Sequence, residues 1–119
     1  TISFKMPLLQ IFTNVKEADL PAGFFANLSS VFQKAIGKPQ KYICIHLAPN
    51  QMMSFEGTTA PTAVANVVSI GQLGVQENKV ITQIITAELA KIGVKADRMY
   101  VVFREMTDQD VGYNNTTFA

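Results

Sequence analysis

The sequence predicts an α/β (α+β) domain in which two helices cover one face of a four-stranded mixed sheet. Four short apolar runs rich in strand-forming residues alternate with two longer segments whose apolar residues recur at helical spacing. The two halves of the chain also echo one another, because an Ile-Gly pair precedes an apolar run in each, at residues 36–37 and 92–93. A length of 119 residues fits one domain with one core.

The first half is predicted to fold as strand, helix, strand, with its two strands parallel. Residues 8–12 form the first strand, and residues 42–47 form the second. Asp19 is expected to cap the helix between them, with Pro21 in its first turn, where a missing N–H leaves nothing unpaired. Gly37 suits the left-handed end of that helix.

The second half repeats this order of strand, helix and strand after a loop. Its predicted elements are a loop over residues 50–61 that can hold a short strand at 52–55, a strand over 63–70, a helix over 77–92 ended by Gly93, and a strand over 99–103. In the tail after Gly112, turn residues stand between aromatic ones.

The four strands are apolar at nearly every position, which is typical of a sheet covered on both faces. Two helices can cover only one of these faces. Other copies of the same chain are expected to cover the second face, so the pattern predicts a homo-oligomer.

Charge and hydropathy argue against several classes of partner. A formal net charge of +1 gives no electrostatic basis for binding nucleic acid or an anionic membrane. No apolar run approaches the roughly 20 residues of a membrane span, and residues 1–6 are too short for the apolar part of a signal peptide. A cytoplasmic location is the resulting expectation, and export by another route stays open.

The chain has one cysteine and one histidine, which limits its chemistry. Cys44 excludes an internal disulfide and a cysteine metal cluster, and its apolar neighbours favour a buried strand residue over a nucleophile. His46 disfavours a histidine metal cage or a histidine-dependent triad, and a structural role is preferred. Neither a metal nor a cofactor is expected.

The dipeptide Met6-Pro7 offers a base. If Met6 were removed, Pro7 would become an N-terminal secondary amine, and an ordinary α-amino group titrates at about 7.7–8.0. An apolar pocket and a nearby cation both favour its neutral form, which could take a proton from a carbon beside a carbonyl group. The alternative is that Pro7 merely opens an edge strand, and the dipeptide alone favours that alternative.

A longer pattern reverses this preference. After Pro7, the motifs in order are Thr13-Asn14-Val15, Gly37-Lys38-Pro39, Tyr42-Ile43, Pro49-Asn50-Gln51, Ser54-Phe55, Ser69-Ile70-Gly71, Asp97-Arg98-Met99-Tyr100 and residues 111–119. Together they resemble the macrophage migration inhibitory factor family of the tautomerase superfamily. The resemblance implies a homotrimer in which three sheets enclose a central channel and active sites lie at the subunit interfaces.

The resemblance also implies roles for single residues. Pro7 would be the catalytic base, and Lys38 would keep it neutral and bind the substrate carboxylate, although a lysine at a helix end is by itself more typical of a solvated residue. The backbone N–H of Ile70 would contact the substrate. The implied substrate-binding residues are Lys38, Ser69, Ile70, Tyr100, Val102, Val111, Tyr113 and Phe118, with Tyr100 contributed across the interface.

Two functions follow from the resemblance. The first is a cofactor-free keto–enol tautomerase for an aromatic α-keto acid such as phenylpyruvate, or a dopachrome-type isomerase. The second is a secreted, cytokine-like protein that binds a cell-surface receptor. A third reading is a structural trimer whose pocket has lost its role.

Four departures from the family pattern matter. Residues 62–65 lack the paired cysteines that often follow the proline at position 61, so thiol–disulfide activity is expected to be absent. Glu56 interrupts a common Phe-Gly-Gly turn, and Val102 replaces an asparagine that could bind the far end of a substrate. Finally, Pro7 is not the first residue, and while Met6 is attached its nitrogen is an amide without basicity.

The chain is therefore divided into residues 1–6, a leader or an artificial remnant, and residues 7–119, a single tautomerase domain. The chain begins with Thr1 rather than Met. The alternative function is a receptor-binding trimer whose tautomerase site the leader blocks.

Overall fold

A computed structural model describes residues 5–119, so most of the predicted leader, residues 1–4, lies outside the described residues. The elements are β1 (Pro7–Thr13), α1 (Phe24–Ile36), β2 (Cys44–Ala48), β3 (Ala63–Ser69), α2 (Val75–Ala90), β4 (Met99–Glu105), β5 (Gly112–Tyr113) and β6 (Thr116–Thr117). Four short 3-10 turns link them. No helix in this part of the chain is long and apolar enough to cross a membrane.

The four longer strands form one mixed sheet in the order β2-β1-β3-β4. β1 pairs with β2 in parallel and β3 pairs with β4 in parallel, while β1 and β3 are antiparallel. Each half is thus a parallel strand-helix-strand unit, and the two units join through their first strands. The predicted fold class is confirmed.

The sheet has one covered face and one open face. Alternate residues of β1 and β3 are buried, because they pack with both helices in a single apolar core. The core residues include Leu9, Ile11, Leu28, Phe32, Ala65, Val67, Ile81, Ile85 and Leu89. The open face is less uniformly apolar than predicted, since Gln10, His46 and Asn66 form a polar row across it.

The start of α1 differs from the prediction. Asp19 does not cap the helix; it ends a 3-10 turn, Glu17–Asp19. The helix begins at Phe24 after Gly23, whose φ of 80° needs the left-handed conformation that glycine adopts freely. The predicted end is confirmed, because Gly37 has a φ of 72° and its N–H binds Gln33 O at 2.8 Å.

Three other local predictions are corrected. Residue 42 belongs to a 3-10 turn, so β2 begins only at Cys44. The Cys44 side chain is exposed rather than buried, because β2 is an edge strand and Cys44 pairs with Leu8 on the open face. Residues 52–55 form no strand; within the described chain the structure has a single bridge there, between Phe55 and Thr58.

Candidate active site

A cleft of about 220 Å³ opens between the start of β1, the segment before β2 and the C-terminal hairpin. The residues that line it are Met6, Pro7, Leu8, Tyr42, Cys44, Val111, Gly112, Tyr113 and Phe118. Four of the predicted site residues therefore meet here: Pro7, Val111, Tyr113 and Phe118.

Three aromatic rings form one wall of the cleft. Tyr113 and Phe118 stack with their ring centroids 5.3 Å apart and 6° between their planes. Tyr42 meets both rings edge-on, at centroid distances of 5.5 Å and 5.9 Å. The hairpin turn at Asn114 and Asn115, both with positive φ, brings the stacked pair together. This flat apolar wall suits an aromatic ligand.

Lys38 is buried beside the start of β1, with 1% of its surface exposed. Its Nζ donates to Ile70 O at 2.6 Å, to Lys5 O at 3.0 Å and to Met6 O at 3.0 Å. Burial lowers the pKa of the Lys38 ammonium to about 8, and the charge of Glu105 partly opposes this shift. The solvated-lysine reading is therefore wrong for this chain.

Two residues before Pro7 are held against the site. Met6 has a φ of 48°, a conformation that non-glycine residues adopt rarely. Lys5 Nζ lies 3.1 Å from Asp108 Oδ2 and donates to Phe118 O at 3.3 Å. Lys5 and Met6 thus contact both Lys38 and the aromatic wall of the cleft.

Ser69 and Ile70 lie beside Pro7 without lining the cleft. Ser69 is the antiparallel partner of Pro7 in the sheet, and both residues are buried. Ile70 uses its carbonyl to bind Lys38, whereas the resemblance implied a role for its N–H. These predicted residues are close to the base, and their contact with substrate stays a prediction.

Tyr100 and Val102 are not brought to this cleft within one chain. Pro7 pairs with Ser69 of β3, and Ser69 pairs with Glu105 at the end of β4. Tyr100 lies five residues before Glu105, or about 16 Å along the strand. Tyr100 is 64% exposed, and its ring packs on Phe55 with the centroids 5.3 Å apart and the planes tilted by 52°. Their place in an active site stays a prediction that needs a second copy of the chain.

The family described as macrophage migration inhibitory factor (MIF) matches residues 6–119, almost the whole chain. The chain belongs to the macrophage migration inhibitory factor family. The match begins at Met6, so the first five residues lie outside it.

Individual MIF relatives match over their full length. The rat protein named macrophage migration inhibitory factor is 36% identical over 115 residues, covering 96% of this chain and 100% of the relative. The Xenopus tropicalis protein of that name is 38% identical with the same coverage. The solved MIF structure from Trichinella spiralis is 32% identical, has a TM-score of 0.88 and covers 93% of this chain and 99% of its own. MIF membership supports a MIF-like function and isomerase-type activity in general.

Sequence reasoning missed five of the nine cleft residues: Met6, Leu8, Tyr42, Cys44 and Gly112. Tyr42 and Cys44 were assigned to a strand, and only their position after the helix end brings them to the cleft. The signal for Tyr42 was its place in the family pattern three residues after Pro39. Within residues 5–119, no group of three or more histidine, cysteine or carboxylate side chains could hold a metal ion.

Proposed function

We propose that the form of this chain that begins at Pro7 is a cofactor-free tautomerase for aromatic α-keto acids such as phenylpyruvate, with dopachrome-type isomerisation as related chemistry. The observation that carries the proposal is the position of Pro7 between the buried Lys38 ammonium and a three-ring aromatic wall. MIF membership supports the reaction class.

The proposed reaction moves one proton from carbon to oxygen. The neutral amine of Pro7 takes a proton from the carbon beside the ketone, so a C–H bond breaks and an N–H bond forms. The electron pair moves onto the ketone oxygen, and the Pro7 ammonium returns a proton there to give the enol. Lys38 holds the carboxylate, and the rings of Tyr113 and Phe118 contact the aromatic group.

Lys38 also favours the neutral form of the base. The oxygen and nitrogen of one peptide unit are about 2.3 Å apart, and Lys38 Nζ lies 3.0 Å from Met6 O, so Lys38 Nζ is within about 5.3 Å of Pro7 N. A cation at this distance and the mostly apolar lining of the cleft both disfavour a second positive charge. The pKa of a free Pro7 amine is therefore expected below the usual range for an α-amino group.

The leader opposes this activity in two ways. Acylation by Met6 removes the basicity of the proline nitrogen. An ammonium group has only three N–H donors, and all three of Lys38 are engaged, two of them by the leader residues Lys5 and Met6. A carboxylate could therefore not bind Lys38 until these two carbonyl groups leave.

Two proteins test the proposal: the 119-residue chain, and a short form that begins at Pro7. With phenylpyruvate at neutral pH, the short form should be active and the long form nearly inactive, with mass spectrometry confirming both N-termini. A short-form Pro7→Gly variant keeps a primary amine but should lose much of the rate, because the ring also directs the lone pair. Equal rates for intact long and short forms would show that Pro7 is not the base.

The names of the rat and Xenopus tropicalis relatives favour a second role, signalling to macrophages. In this role the chain would be secreted and would bind a cell-surface receptor. The short-form Pro7→Gly variant separates the two roles. If it still alters macrophage migration while its tautomerase activity is lost, the signalling role does not require the base; no effect of either short form on migration would contradict this role.

A further inference from the structure

The Ser69 hydroxyl is the only buried side-chain polar atom without a hydrogen-bond partner in residues 5–119. Its side chain is completely buried, so solvent does not reach it. Buried hydroxyl groups are almost always paired, because an unpaired one has lost its water without compensation. This oxygen therefore points to a partner that the chain with its leader does not supply.

Ser69 lies beside Pro7, whose nitrogen is not basic while the leader is attached. It ends β3 and is the antiparallel partner of Pro7, the first residue of β1. Both side chains belong to the covered face, where the Cβ atoms of such a pair are about 4.5–5.5 Å apart. In the long chain, the Pro7 nitrogen has no proton to donate, because it is the amide of Met6.

We propose that Ser69 is the positioning residue for the Pro7 base: the N–H of the neutral secondary amine donates to Ser69 Oγ, and this bond directs the nitrogen lone pair into the cleft. The inference rests on the proposed function, because it needs a free Pro7 nitrogen. A neutral secondary amine has one N–H and one lone pair on a pyramidal nitrogen, so an acceptor for the first sets the direction of the second.

Other groups near Pro7 are less able to take this role. Lys38 has no acceptor, and the Ile70 carbonyl is already bound to Lys38 at 2.6 Å. A second copy of the chain could not supply Ser69 with a partner, because the side chain is enclosed by its own chain. The titratable and charged groups around this end of the sheet are Lys5, Lys38, Tyr42, Cys44, Glu105, Asp108 and Tyr113.

The hydrogen bond raises the pKa of the Pro7 amine and fixes the direction of its lone pair. Ser69 accepts from both forms of the amine, and the bond to the charged form is the stronger one. In the short form, Ser69→Ala should therefore lower the pKa of Pro7 by roughly half to one pH unit. It should lower kcat by about tenfold and change KM little, because Lys38 and the aromatic wall still bind the substrate.

The experiment is a cycle of four proteins: the long and short forms, each with and without Ser69→Ala. NMR titration of a ¹⁵N-labelled Pro7 in the two short forms gives the pKa without any need for activity. Urea unfolding of all four gives stability. Ser69→Ala should destabilise the short form and leave the long form unchanged or more stable, since the hydroxyl is unpaired only in the long form.

Thr13→Val is the matched control. Thr13 carries a buried hydroxyl at the other end of β1, and it is paired within the chain, donating to Thr62 O at 2.8 Å. This variant should destabilise both forms equally and leave the Pro7 pKa unmoved. An unchanged Pro7 pKa in the Ser69→Ala short form, or equal destabilisation of long and short forms, would overturn the proposal.

The tautomerase proposal and the Ser69 proposal can be contradicted independently of each other. If the short form is inactive but Ser69→Ala lowers the pKa of Pro7, the hydrogen bond is supported and the tautomerase assignment is wrong. If the short form is active and Ser69→Ala changes neither its pKa nor its kcat, Pro7 is the base and Ser69 does not position it.

Discussion

Lys38 is buried because three carbonyl oxygens surround its ammonium group where α1 ends and β1 begins. These bonds satisfy its donors, but the group still loses its water, and the pKa falls to about 8. In the unfolded chain the pKa returns to its ordinary value of 10.5. Between these two values, the unfolded state binds a proton that the folded state has released.

Stability of the long form should consequently rise as the pH increases from about 8 to 10.5, since stability rises with pH wherever the unfolded state binds more protons. Lys38→Met removes this contribution. From pH 7 to pH 10, the free energy of urea unfolding should therefore gain about 1–3 kcal/mol more in the unsubstituted chain than in the variant.

Lys34→Met is the control, because Lys34 is an exposed residue of the last turn of α1. It should reproduce the pH profile of the unsubstituted chain. Parallel profiles for Lys38→Met and the unsubstituted chain would show that Lys38 does not titrate in this range.

At the scale of residues, the family pattern predicted the cleft better than the local sequence did. The gathering of Pro7, Val111, Tyr113 and Phe118 follows the resemblance, whereas Cys44 was predicted to be buried from its apolar neighbours alone. Burial depends on which face of the sheet a residue occupies, and a continuous apolar run does not specify the face.

The Arg98 side chain binds the loop between β2 and β3 at four points. Arg98 donates to four carbonyl oxygens of this loop, at distances of 3.0–3.3 Å, and lies 5.6 Å from the centre of the Phe55 ring. Thr62, one of the positions without the paired cysteines of relatives, donates to Arg98 O at 2.7 Å. Glu56 and Gly57 turn the loop with φ values of 52° and 74°.

Glu56 therefore occupies a position that favours glycine, and its Cβ strains the backbone there. Glu56→Gly should raise the free energy of unfolding by about 0.5–1 kcal/mol, because glycine adopts positive φ without a Cβ clash. Glu56→Ala keeps the Cβ and should not stabilise. Urea unfolding compares the two, and equal effects would mean that backbone strain at residue 56 is negligible.

At the scale of elements, hydropathy periods predicted the four longer strands and both helices but not the ends of these elements. The helix α1 starts five residues after Asp19 because Pro21 and Gly23 form a turn there, with Phe24 N–H bound to Pro21 O at 3.1 Å. The same residue types, such as Asp, serve both as helix caps and as turn residues, so the sequence alone does not distinguish the two. Hydropathy periods also could not predict the pairing of β1 with β3, because it joins residues that are far apart in the sequence.

For the molecule as a whole, the open face of the sheet and the exposed Tyr100 raise the same question: what covers them. Apolar residues flank the polar row of this face, with Leu8 and Val68 on one side and Phe12 and Val64 on the other. Tyr100 projects from the edge strand β4 with most of its surface exposed. We propose that three copies pack in a ring, which covers apolar surface and delivers Tyr100 and Val102 to the Pro7 cleft of a neighbour.

A mixing experiment tests this arrangement directly. Sedimentation equilibrium of the short form should return three times the monomer mass. Short-form Pro7→Gly and Tyr100→Ala should each lose much of the activity alone, because each has an impaired part of the shared site. Refolded together in equal amounts, they should recover about a quarter of the unsubstituted activity, since one interface in four then joins an intact Pro7 to an intact Tyr100. A site contained within one chain would give no gain on mixing, and a stable monomer would remove the basis for a shared site altogether.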